Sequence, residues 1–315
     1  MSAPSAQSQI EARIEAQIDI QIVGLGEILW DVFPDGARFG GAPANFACSA
    51  AGLAAGSARV SRVSMAGAVG GDDLGRRALA EFAARGVDVS AVAVLSEPTG
   101  RVDVTVDALG HASYVFAPDC AWDNVPWSDS LEWLAAATTA VCFGTLGCRG
   151  AQSQATISRF VAAVPSPALR ILDINLRPPF WSSDIVRDSL PLANIVKCND
   201  EELPVVAEIL GLTGSPEAIL RQLVDRHDLR LAALTRGAKG SLLITADGSA
   251  SDLPGTPVDV VDTVGAGDAF TAAVTLGLLA GWPLSKLHAH AERVAAYVCT
   301  QRGGTPPIPA DLRIG

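Results

Sequence analysis

The string Asp262-Thr-Val-Gly-Ala-Gly-Asp268 stands directly ahead of a long apolar stretch, Ala269 to Ala280. Glycines at 265 and 267 let the chain turn tightly and aim successive N–H groups outward. A helix starting there adds the positive end of its dipole. Together these make an anion cradle that needs no Lys or Arg. Asp268 then sets a carboxylate at the mouth of the cradle. Beside a phosphate-sized anion that charge is awkward unless it is used. Its use would be to take a proton from an attacking hydroxyl during phosphoryl transfer. The bland alternative is a turn followed by an acidic helix cap. A bare G-x-G does not separate the two; the full D-x-x-G-x-G-D string before an apolar helix favours the chemistry.

A second group suits a polyhydroxylated ligand. In Phe39-Gly-Gly-Ala-Pro-Ala-Asn-Phe-Ala47, Gly40 and Gly41 allow close backbone approach. Pro43 fits the first turn of a helix, where a missing N–H costs little. Asn45 then lies in that turn, able to donate to and accept from hydroxyls, or simply to cap. Upstream, Gly26-Glu-Ile-Leu-Trp-Asp31 is read as the end of the first strand. That puts Asp31 where ligands bind in open α/β sheets. Arg177, in Asp173-Ile-Asn-Leu-Arg-Pro-Pro179, offers a guanidinium fork for an oxyanion or for a salt bridge. A third group, Lys197-Cys-Asn-Asp-Glu-Glu202, has an N-x-x-E spacing that also reads as an acidic first helical turn.

These groups need strand ends and helix starts to hold them, and the pattern supplies both. Ile18 to Gly26 alternates and is β-branched, so it reads as a strand. Further strands are expected at 60–68, 140–145, 170–174, 194–197, 231–235 and 241–245. Leu74 to Arg85 has helical spacing and closes at Gly86. Ala269–Ala280 is apolar almost all round, so it should be a buried helix. In Gly67–Gly75, Asp72 is expected to cap a strand-to-helix turn. The alternation argues for a mostly parallel sheet covered on both faces. Two segments, 32–39 and 99–118, look instead like short strands of one small sheet, with Leu109-Gly110 near a turn. Such a sheet could cover a site and exclude water. Arg101 and Phe116 would lie in it. Residues 1–18 read as a flexible tail, with Ile10, Ile14 and Ile18 at helical spacing. Residues 19–315 read as one domain.

From about Ile22 to Pro307 the sequence resembles the ribokinase-like (PfkB-type) carbohydrate kinases. The resemblance implies an α/β three-layer fold: a central mostly parallel sheet, helices on both faces and a small β-sheet lid. It implies Asp268 as catalytic base and Gly265, Ala266 and Gly267 as stabilisers of the transferring phosphoryl group. It places a monovalent cation, K⁺, near Asp262 and the backbone at Val264, where relatives often carry Thr. It gives Asp31, Gly40, Gly41, Asn45 and Arg177 to the sugar. Asn199 and Glu202 would position Mg²⁺ and the ATP phosphates, Glu202 through water. Thr235, Gly237 and Gly240 would form the nucleotide loop, with Lys239 solvated. Adenine would lie near the helix carrying Glu292, a position where relatives often have Asn. Within the family the chain looks most like fructokinase-type members, through Gly26–Pro34, Phe143-Gly-Thr-Leu146 and Asp173–Pro179. Gly147-Cys148 stands where fructokinases commonly have Ala-Gln. Ribose, 2-keto-3-deoxygluconate and adenosine are alternative substrates; a non-catalytic sugar or nucleotide sensor is the alternative of another class.

Composition narrows the field. The chain has 315 residues, 49% hydrophobic and 18% charged, which suits one large α/β domain. Lys+Arg 23 against Asp+Glu 34 gives −11, a poor balance for binding nucleic acid or an anionic membrane. There is no apolar run of about 18 residues, so a membrane span is not expected, and the first twenty residues lack the basic start and apolar block expected of a secretory signal. The six cysteines show no C-x-x-C pair and read as reduced thiols, which points to the cytoplasm. A dinucleotide oxidoreductase is disfavoured, because Gly24-Leu-Gly26 runs into Glu-Ile-Leu rather than a G-x-G-x-x-G helix start. His288 and His290 read as lone packing or surface residues. An exposed lid edge would allow a homodimer.

Overall fold

The computed structural model describes residues 20–106 and 112–314; among them, thirteen strands form two sheets. The large sheet contains β1 (Ile20–Leu25), β4 (Val60–Gly70), β5 (Asp88–Leu95), β8 (Ala140–Gly144), β9 (Leu169–Asp173), β10 (Ile195–Asn199), β11 (Leu231–Thr235), β12 (Ser241–Thr245) and β13 (Ala250–Leu253). Its order is β13-β12-β11-β10-β9-β8-β1-β4-β5. Pairing is parallel from β5 to β11, and β12 and β13 are antiparallel. The small sheet contains β2 (Leu29–Phe33), β3 (Gly36–Gly40), β6 (Gly100–Val106) and β7 (Ala112–Phe116), in the order β3-β2-β6-β7.

The helices are α1 (Ala42–Leu53), α2 (Asp73–Ala84), α3 (Asp129–Ala137), α4 (Ala151–Ala163), α5 (Ser183–Ser189), α6 (Glu202–Leu210), α7 (Pro216–His227), α8 (Ala266–Leu279) and α9 (Leu284–Cys299). They divide between the faces of the large sheet by simple alternation. Ile22, Met65, Cys142, Ile171, Ile195 and Leu231 point to one core, shared with α1, α2, α8 and α9. Their neighbours Val23, Ala66, Val141, Leu172, Val196 and Ala232 point to the other, shared with α3, α4, α6 and α7. A strand buried on both faces has no polar side to show, hence the unbroken apolar runs. The result is the three-layer ribokinase-like α/β fold. Helix α8 is buried along Ala269–Gly277, in keeping with its sequence. Asp72 caps α2, accepting from the Gly75 N–H at 2.8 Å. All six cysteines are free thiols.

Two expectations are corrected. Asp31 does not end the first strand. Strand β1 stops at Leu25, Gly26 takes a positive φ of 142°, and a new strand begins at Leu29. Asp31 therefore belongs to the small sheet, whose first segment starts three residues earlier than 32–39 implied. The edge strands β5 and β13 also go beyond the expected set. Both are partly exposed; β13 carries no apolar run, and β5 does, in Ala91–Leu95, behind a polar start at Asp88-Val-Ser90. The tail at 1–18 and the turn at Leu109-Gly110 lie outside the described residues. No helix among the described residues is long and apolar enough to cross a membrane.

Candidate active site

The parallel strands end on one side of the sheet, and their C-terminal residues supply much of the site. Asp173 ends β9, Asn199 ends β10 and Thr235 ends β11. Helix α8 begins beside them, with its N-cap Gly265 at φ 76°. Only glycine suits that position: a Cβ there would also stand 2.3 Å from the carbonyl oxygen of Gly304. Asp268 follows in the first turn of α8. Its carboxylate is hydrogen-bonded by Asn45, whose Nδ2 donates to Asp268 Oδ2 at 2.9 Å. Residues 223 positions apart in sequence, one from each glycine-bearing motif, thus meet directly. Burial pushes the Asp268 carboxyl up to about 6, and the nearby Asp173 charge adds to the rise. Lys197, the Asn45 bond and Arg177 work against it.

Lys197 is the group that sequence reasoning missed. It lies in β10, opposite Asp173 of β9 in the parallel register. Its ammonium is buried and bonds Asp173 Oδ1 at 3.1 Å. A Cβ at Gly267 would stand 3.0 Å from Lys197 Nζ. The cation therefore sits directly behind the backbone of the anion cradle. The surrounding carboxylates of Asp173, Glu202 and Asp268 outweigh burial and hold Lys197 charged well above its usual range. Thr271 of α8 donates to Asp173 Oδ2 at 3.4 Å and to the Gly267 carbonyl at 2.9 Å, tying the pair to the helix.

At the other end of the site, Gly41 is the N-cap of α1 at φ 108°, and its Cβ position is filled by the Glu27 carbonyl oxygen at 2.6 Å. Asp31 faces Arg38 across the β2–β3 hairpin. A Cβ on Gly40 would stand 3.3 Å from Asp31 Oδ2. Burial lifts the Asp31 carboxyl to about 6 against the pull of Arg177 and Arg38. Arg177 is exposed, and its Nη1 donates to the Leu176 carbonyl at 3.1 Å. Glu27, also unassigned by sequence reasoning, is 1% exposed. One of its oxygens accepts from the Ala42 N–H at 3.2 Å; the other is buried without a partner among the described residues. Burial raises it to about 7. The signal was a lone acid inside an otherwise apolar run, Val23 to Trp30. In the small sheet, Arg101 bonds Asp103 at 2.8 Å and Phe116 packs edge-on against Phe180 at 5.2 Å.

Residues 26–311 match the pfkB family carbohydrate kinases. The chain belongs to that family. It is 31% identical over 274 residues to an uncharacterized sugar kinase of Pyrococcus horikoshii, covering 84% of this chain and 81% of the relative. It is 30% identical over 305 residues to a fructokinase of Klebsiella pneumoniae, covering 90% and 95%. The ATP complex of the Pyrococcus protein superposes with a TM-score of 0.77 at 28% identity, over 92% of this chain and 96% of that one.

In this pfkB kinase the third group is a reciprocal helix cap. Asn199 Oδ1 accepts from the N–H groups of Glu201 and Glu202 at 2.9 and 2.8 Å. Glu202 answers by accepting from the Asn199 N–H at 2.9 Å and the Leu176 N–H at 3.0 Å. Thr235 is the register partner of Asn199, so the N-x-x-E cap and the Thr235–Gly240 loop adjoin. Gly237 begins the single turn Gly237–Lys239, and Gly240 takes φ 85° with the Leu253 carbonyl where a Cβ would go. Lys239 is 81% exposed, 3.8 Å from Asp200. Glu292 bonds the Ser241 hydroxyl, and His288 bridges Ser241 and Ser251 at 2.7 Å each, buried and pushed down to about 4. Asp262 accepts from Val264 N–H at 3.1 Å and Gly303 N–H at 3.0 Å, lacing two loops together. Among the described residues no three acidic, His or Cys side chains form a metal cage.

Proposed function

We propose that this carbohydrate kinase transfers the γ-phosphoryl group of ATP to a hydroxyl of a monosaccharide, with fructose the first substrate to test. The observation that carries the reading is the Asn45–Asp268 contact at the start of α8. It sets a base between a hydroxyl-binding loop and a backbone anion cradle. Asp31, Gly40, Gly41, Asn45 and Arg177 would hold and orient the sugar. Asp268 would take the proton of the attacking hydroxyl; the rise of its carboxyl to about 6 makes it a better base than an exposed aspartate, while still ionised at neutral pH. Gly265, Ala266 and Gly267 would present N–H groups to the migrating phosphoryl, with the Lys197 charge behind them. Asn199, Thr235, Gly237 and Gly240 would border the nucleotide. Mg²⁺ on the ATP phosphates would neutralise their charge, with Glu202 reaching it through water; Asp262 and the Val264 backbone would border a K⁺ ion. The soluble composition suits a cytoplasmic enzyme, and the exposed Tyr114 and Val115 on the edge strand β7 suit a lid-to-lid homodimer.

The fructose assignment draws on the Klebsiella fructokinase likeness and on the Gly26–Pro34 and Asp173–Pro179 segments. The test is ADP release against fructose, ribose, 2-keto-3-deoxygluconate, adenosine and inositol, for the wild type and Asp268→Asn. Turnover with fructose that the substitution abolishes is the expected result. A preference for another sugar removes fructose and keeps the kinase. Tight sugar binding without any wild-type turnover makes the protein a sensor.

A further inference from the structure

A cleft of about 450 Å³ opens between β3, α2 and the chain segment 301–307 that follows α9. Asp31, Asn45, Arg177 and Asp268 are not among its lining residues. Trp30 and Phe39 line it; they pack edge-on at 5.5 Å, and Phe39 packs edge-on against Phe82 of α2 at 5.0 Å. Alternation along β2 and β3 puts Asp31 and its register partner Arg38 on the face opposite Trp30 and Phe39, so Arg38 meets the cleft from the far side of the hairpin.

The lining inverts the charge of the protein. The chain carries 34 acidic against 23 basic residues, yet Arg38, Arg77, Arg85 and Arg302 border this cleft with Glu81 as their one carboxylate there. Arg85 is bound to Glu81 and donates to the Thr305 carbonyl at 3.3 Å, so it braces the two walls. Arg38 is paired with Asp35 at 3.2 Å. Arg77 and Arg302 are exposed and have no acidic partner among the described residues. Arg77 is held in place by the Trp30 ring, 4.4 Å below its guanidinium. Stacking of this kind leaves the N–H fork free to meet an oxyanion. Two guanidinium groups without an acidic partner thus border one cleft, and their planar forks match phosphate.

We propose that this cleft is a second anion site, taking a small phosphate-bearing molecule held by Arg77 and Arg302. The occupied wall reaches the catalytic side. Gly303 N–H donates to Asp262, and Gly304 lies against both Gly265 and the Asn45 side chain. Occupancy therefore alters the sugar KM, a consequence that rests on the kinase reading above.

The test is calorimetric titration of the full chain with inorganic phosphate, pyrophosphate, fructose 1,6-bisphosphate and ADP, for the wild type, Arg77→Ala/Arg302→Ala and the control Lys239→Ala. Saturable binding of phosphate or an ester is expected, weakened at least about tenfold in the double variant and unchanged in the control. Both arginines are exposed, so an unchanged melting temperature verifies the fold of the variants. Phosphate binding as tightly as the bisphosphate makes the phosphoryl group the whole determinant. No saturable binding up to about 10 mM, or binding indifferent to the double variant, overturns the site. So does binding confined to ADP and weakened in the control, which would be the nucleotide end. A sugar KM that ignores saturating ligand overturns the coupling. A wild type that binds the ligand without turning over any sugar refutes the kinase reading and leaves the cleft standing.

Discussion

Asp268→Asn should make the protein inactive and more stable at once. A carboxyl lifted from its usual range to about 6 binds its proton more tightly in the folded chain than in the unfolded one. Between about pH 4 and 6 the folded state holds the extra proton, so stability falls as pH rises through that window and stays lower above it. The rise is about 2 pH units, or about 3 kcal/mol at most. Asp268 is only partly buried, so solvent reduces this to about 1–2 kcal/mol. Asparagine keeps the shape and can still accept from Asn45 Nδ2, and it carries no charge to bury. Urea denaturation of both proteins across pH 4–8 reads the difference. The curves should coincide near pH 4, diverge through pH 6 and run parallel above pH 7, with the variant higher. Turnover should drop by at least about 10²-fold, the usual worth of a general base. A variant equal to or weaker than the wild type at pH 8, or a gap that does not change with pH, would refute the claim that the site holds this carboxylate at a cost.

Two further outcomes follow from the buried pairs. Lys197→Met leaves the buried Asp173 carboxylate without its cation and should cost about 3–5 kcal/mol of stability, much of it regained in Lys197→Met/Asp173→Asn. Turnover should stay at least about tenfold down in both, because the charge behind Gly267 is gone in both; thermal melts and ADP release measure the two effects separately, and full recovery of activity in the double variant would reduce the pair to a structural one. Glu202→Gln keeps one acceptor for two backbone N–H groups, so one of Leu176 and Asn199 loses its bond, at about 1–2 kcal/mol. Denaturation midpoints test that, and a rise in the Mg²⁺ concentration for half-maximal rate tests the water-mediated role; a variant unchanged in both would count against the cap and the metal role alike.

The parts of the site that were legible in the sequence are those built from local backbone chemistry. Glycine at 265 is demanded by a positive φ and by the Gly304 carbonyl, and Pro43 suits the first turn of α1, two residues before Asn45. Such requirements leave fixed spacings, and the alternating apolar runs likewise gave the layers. Asp31 was misplaced because Leu29 to Phe33 continues the apolar character of β1, and only the positive φ at Gly26 separates the two strands. Lys197 and Asp173 were invisible for a different reason. Each looks like an ordinary charged residue beside a strand, and only the parallel register of β9 and β10 makes them a pair.

That pair also answers a difficulty in the site itself. Glu27, Asp31 and Asp268 all hold raised carboxyls close to where the phosphoryl group would pass. An anion entering such a site needs a compensating charge that does not neutralise the base by bonding it. Lys197 would meet that need by position: its hydrogen bond goes to Asp173, not Asp268, and it lies behind Gly267, from where its field would reach the cradle. A lysine reaching into the cradle from the front would compete for the Asp268 carboxylate and pull its pKa down, weakening it as a base. Placing the cation behind a residue without a side chain would let one site stay basic enough to take a proton and positive enough to hold a phosphate.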